Sequence, residues 1–91
     1  MSDMFTDLQE LQSVLSDPQK GKSVTLHHSY VDLEFLLPDG KEIAITYVRR
    51  ISITDVSGAV AAFLIEQNNG SLLVIPPIYR FMTFSVKEVI P

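Results

Sequence analysis

The chain contains no cysteine, no tryptophan, few cations and no apolar run long enough to cross a bilayer. Without cysteine there is no disulfide frame, no thiolate nucleophile and no zinc site of the cysteine-rich kinds, so stability must come from packing. Seven Lys and Arg against eleven Asp and Glu leave a net charge of -4. That balance argues against non-specific binding to a phosphate backbone, which basic patches carry. It leaves room for a single nucleotide, or for RNA gripped locally by an oligomer. The N-terminal MSDMFTDLQELQ has neither the basic nor the apolar segment of a secretory signal. The expectation is a cytoplasmic protein with no membrane segment.

What is present is apolar. Hydrophobic residues make up 46% of the 91 residues, with a mean hydropathy of +0.21. This excludes disorder and is more than so small a body can hide, which makes a subunit interface the simplest outlet and a homo-oligomer the expectation. The length suits one domain over 1–91, with a helix at 3–16 and mostly antiparallel strands from 23 to 91.

The central stretch is VDLEFLLPDGKEIAITYV, residues 31–48. Leu37-Pro38-Asp39-Gly40-Lys41 reads as a type I turn with proline at i+1, followed by a left-handed glycine. The loop length sets Phe35 opposite Ile43, Leu33 opposite Ile45 and Val31 opposite Tyr47. Asp32, Glu34, Ala44 and Thr46 then form a mostly polar outer face. Upstream, Met4, Phe5, Leu8, Leu11 and Leu15 form one helical stripe that Pro18 terminates. Val24 and Leu26 are apolar in one strand phase and Val31, Leu33 and Phe35 in the other, so the phase must slip at His28-Ser29-Tyr30.

The second arm of the hairpin continues with Ile51 and Ile53 in the frame of Ile43, Ile45 and Tyr47, and Arg49 intrudes in the middle of that frame. The strand therefore bends at Arg49, or Arg49 has an anionic partner, for which Asp55 is one candidate. Residues 57–67 fit either a helix capped by Ser57 or a strand leading into the Asn69-Gly70 turn. FLIEQNNGSLLVI echoes FLLPDGKEIAI, as two similar hairpins would, and we adopt the strand reading. Pro76-Pro77 must stand at a strand end. IYRFMTFSV is apolar on both faces, so that strand is central or at an interface, with Tyr79, Phe81, Met82 and Phe84 as interface candidates. Residues 86–91 form a last short strand.

An N-terminal helix, a hairpin with a long bent second arm, another hairpin, and a short final strand ending in Ile90-Pro91 together resemble the small barrel of Sm-like proteins. Ala44 stands where that family has a strand-two glycine. The resemblance implies a mostly β (α+β) fold in which a five- or six-stranded antiparallel sheet curls into a small Sm-like or SH3-like barrel.

Catalytic signals are thin. His27 and His28 point to opposite sides of a strand and find no carboxylate at metal-ligand spacing, and no serine lies in a nucleophile elbow. One cluster stands out. Extending the hairpin register places His28, Ser29 and Tyr30 opposite Arg50, Arg49 and Val48, so Arg49, Arg50, His28 and Tyr30 would converge at the bend as a ligand site. Arginine forks suit phosphate and tyrosine can stack on a base. The expectation is a self-associating protein-interaction or regulatory module that acts by binding, without cofactor, metal or catalysis. The alternative is a nucleotide- or RNA-binding small barrel in an oligomeric ring, using the arginines.

Overall fold

Residues 3–56 and 60–90 are described in a computed structural model of the chain. Its elements are α1 (Met4–Ser16), β1 (Ser23–Thr25), β2 (Ser29–Leu36), β3 (Glu42–Val56), β4 (Val60–Gln67), β5 (Leu72–Ile75) and β6 (Arg80–Val89). All pairings are antiparallel. The strand path is β5-β4-β3-β2-β6, with β1 also on β3. The path does not close, because no pairing among the described residues joins β5 to β6. The fold is thus mostly β, with one N-terminal helix and an open six-stranded sheet. No helix among the described residues is long and apolar enough to cross a membrane.

The two hairpins are built alike, as the sequence echo implies. Leu37 N–H donates to Lys41 O, Gly40 N–H to Leu37 O, and Lys41 N–H to the Asp39 carboxylate. Thirty residues on, Gln67, Gly70 and Ser71 make the same three bonds, with the Asn69 side chain in the role of Asp39. Gly40 and Gly70 supply the positive φ that the third loop residue needs, at 91° and 86°. Residues 60–67 are therefore strand. Ser57, the expected cap of the helical reading, lies outside the described residues.

The register agrees with the sequence reading at Phe35–Ile43 and Leu33–Ile45 and departs from it beyond them. Val31 pairs with Val48, not Tyr47, because β3 carries an extra residue there. A second irregularity falls between Val48 and Arg50 on the β4 side. Each insertion adds one outward residue, so the inward series on β3 runs Ile45, Val48, Ile51, Ile53. Tyr47 and Arg49 leave the core frame. Upstream, the expected phase slip is a break in the strand at residues 26–28 between β1 and β2, which lets Leu26 and Val31 both face inward.

Asp3 caps α1, its carboxylate accepting the Thr6 N–H at 2.8 Å. That bond holds its carboxyl below the usual range. Leu11, Val14 and Leu15 press onto the sheet, while Phe5, expected on the apolar stripe, is exposed. Asp7 is buried, and its carboxylate accepts the His27 N–H at 2.9 Å, fastening the helix to the break between β1 and β2. The core is completed by Val31, Leu33 and Phe35 of β2 with Phe63, Ile65 and Ile75 from β4 and β5.

Candidate functional site

The four residues expected to form a ligand site occupy three places. The β2–β3 ladder ends at Val31–Val48, and β1 takes over with Thr25 opposite Arg50. His28 and Tyr30 consequently do not face the arginines. Tyr30 pairs with Glu88 of β6, Ser29 with Val89, and the His28 carbonyl accepts the Ile90 N–H. His28 lies close enough to the helix cap for its charge to bear on Asp3. The break that solves the phase problem thus turns this segment toward β6.

Arg49 and Arg50 do stay together, around Glu66. Arg49 Nε is 3.2 Å from the Glu66 carboxylate, and Arg50 faces Glu66 across the β3–β4 ladder. Glu66 is the anionic partner that the intrusion of Arg49 required; Asp55 pairs with Lys20 instead. A shallow groove of about 200 Å³ runs beside Arg50, with Leu64, Glu66 and Leu72 on its walls. Two arginines and one carboxylate on neighbouring strands leave a local charge near +1, a modest attraction for phosphate.

Tyr30 belongs to a different cluster, one that alternation does not reveal. The β3 insertion throws Tyr47 to the outer face with φ of 53°, the only positive φ outside glycine among the described residues. Asp32 accepts the Tyr47 N–H at 3.1 Å and lies 3.7 Å from Lys87 Nζ. The Tyr47 carbonyl accepts the Asn68 N–H at 2.8 Å. The Tyr30 and Tyr47 rings are 6.1 Å apart, and Lys87 Nζ sits 5.5 Å from the Tyr47 centroid. Both peptide groups of the strained residue are therefore braced by elements outside its own strand.

The expected interface residues divide by side. β6 is not central: it is the sheet's end strand and continues through residues 86–89 without a separate last strand. Tyr79, Phe81 and Phe84 are partly buried against the core, and Met82, at an irregularity of the β2–β6 ladder, is exposed. At the opposite end of the path, β5 has the sequence LLVI with Leu72, Leu73 and Val74 all exposed. Eight large hydrophobic side chains are exposed among the described residues, and six of them lie on β5 and β6: the three of β5 with Met82, Val86 and Val89. The apolar surplus noted in the composition is therefore concentrated on the two end strands of the path; β1, which also pairs with a single strand among the described residues, carries none of it. From the sequence β5 reads only as the second strand of a hairpin, with no role given to it; the signal available was an uncharged strand running into Pro76-Pro77.

Among the described residues no group of three His, Cys, Asp or Glu is arranged to hold a metal ion. Compared with protein-family models, with curated proteins and with solved structures, the chain matches none of them.

Proposed function

We propose that this chain is a self-associating binding module in which β5 of one copy adds to β6 of the next. The observation that carries the reading is the placement of the exposed apolar side chains on the two open ends of one sheet. An end strand presents a row of unpaired N–H and C=O groups, and proteins ordinarily blunt it with charge, proline or a cover. β5 has no charged residue, and its only blunting feature is the proline pair that follows it. Two different edges meeting make a head-to-tail contact, which either closes into a ring or continues as a filament.

The small-barrel and Sm-like resemblance belongs to this proposal. A helix followed by a sheet that bends at two insertions in its longest strand supports it, and a ring is the assembly it favours. The module acts by binding in the cytoplasm, with no chemistry of its own. A nucleotide or RNA at Arg49 and Arg50 is the weaker reading, because Glu66 already pairs with Arg49 and stands opposite Arg50 in the ladder.

Light scattering coupled to gel filtration tests the proposal. The chain should run well above its 10.2 kDa monomer mass. Val74→Lys and Val86→Lys should each give monomers, since each spoils one edge. Mixing the two variants should give a dimer, since each retains the edge that the other lacks. A monomer mass for the unaltered chain across a wide concentration range refutes self-association, and mixed variants that stay monomeric refute the head-to-tail arrangement.

A further inference from the structure

We infer that a cleft between the end of α1 and the start of β6 binds a small amphipathic carboxylate, a molecule with one anionic end and an apolar body. The cleft has a volume of about 520 Å³, within the range of roughly 300–1,000 Å³ usual for small-molecule sites. Its floor is apolar, made by Leu15, Ala62, Phe63 and Phe81. Leu15, Ala62 and Phe63 are buried, so the floor is rigid sheet and helix surface, not loop.

The charge of the lining selects the ligand. In a chain of net charge -4, the one charged side chain on the cleft wall among the described residues is cationic, Arg80. Among the described residues its guanidinium has no carboxylate within 4 Å, unlike Arg49, Lys20 and Lys87. A guanidinium presents a planar fork of donors that matches a carboxylate with two parallel bonds. Also lining the cleft are Gln12 and Ser16, where Gln12 Nε2 donates to Ser16 Oγ at 2.7 Å. The Ser16 oxygen acts there as an acceptor, so its own proton remains for donation into the cleft. The carbonyl end of α1 opposes an anion, but a helix terminus carries only about half an elementary charge against the full charge of Arg80. Donors at the rim over an apolar floor fit a carboxylate head with a hydrocarbon or aromatic tail. They do not fit a phosphodiester chain, which would need several cations.

Isothermal titration calorimetry on the full chain, in whatever assembly it adopts, tests this with decanoate as the compound and decylamine as its opposite in charge. Decanoate should bind saturably with one site per chain, and decylamine at least tenfold more weakly. Arg80→Gln should weaken decanoate at least tenfold, with thermal unfolding recorded alongside to confirm that the variant folds. Arg80→Lys should keep the preference for decanoate over decylamine, and Arg50→Gln should change nothing. Equal binding of the two compounds overturns the inference, as does full affinity in Arg80→Gln or the absence of saturable decanoate binding by the unaltered chain.

Discussion

Replacing Asp32 with alanine tests the bulge on which the shape of β3 depends. Its carboxylate accepts the Tyr47 N–H at 3.1 Å and lies 3.7 Å from Lys87. These two contacts differ in worth. Lys87 is 41% exposed and Asp32 21%, so the ion pair is screened and contributes under about 1 kcal/mol. The Tyr47 N–H is partly buried in a strained backbone, and leaving it without an acceptor costs about 1–3 kcal/mol. Asp32→Ala should therefore cost about 2 kcal/mol. Asp32→Asn, which keeps an acceptor oxygen and loses only the charge, should cost less than about 1 kcal/mol. Lys87→Ala should cost about 0.5 kcal/mol, covering the ion pair and the weak contact with the Tyr47 ring. For a domain of this size 1 kcal/mol moves Tm by about 4–8 °C, so the alanine and asparagine variants separate clearly in thermal unfolding. The scans must share one protein concentration, because assembly couples Tm to concentration. If Asp32→Ala and Asp32→Asn are alike and both small, Asp32 is only a solvated charge on the outer face, and the bulge is held by something else.

The hairpin turn and the core each offer a further test. Gly40→Val should destabilise the fold by at least about 1 kcal/mol in a denaturant titration; a Cβ there meets nothing within 4 Å, so the loss isolates the cost of the 91° φ. An unchanged midpoint would refute the turn assignment. Ser29 is fully buried and its Oγ has no hydrogen-bond partner among the described residues. Ser29→Ala should leave stability unchanged or raise it by up to about 1 kcal/mol, and a clear loss would mean that the hydroxyl is satisfied after all.

The parts of this fold legible in the sequence are those set by local chemistry. The turn at Leu37–Lys41 carries its proline, aspartate and glycine at the positions the loop demands, and the Gln67–Ser71 turn repeats the arrangement with asparagine. The helix and its end at Pro18 follow from periodicity and ring geometry. The long strand resisted reading for a different reason. A strand repeats every two residues, and β3 contains two insertions of one residue each, so the second restores the phase that the first disturbs. Ile43 and Ile45 at one end and Ile51 and Ile53 at the other therefore fit a single uninterrupted frame. That frame fails only between them, where it assigns Tyr47 and Arg49 to the core and Val48 to solvent. Val48 is in fact fully buried and Arg49 is exposed. The ligand cluster inferred from the sequence inherited this error: with one insertion uncounted and the break before Ser29 unplaced, His28 and Tyr30 were set against arginines that belong to Glu66. A guanidinium in an apolar frame was the visible sign that the count was off by one. The same displacement that removes Arg49 from the core carries Tyr47 outward over Asp32 and Lys87, so this outer cluster exists because the strand had to expel its cation.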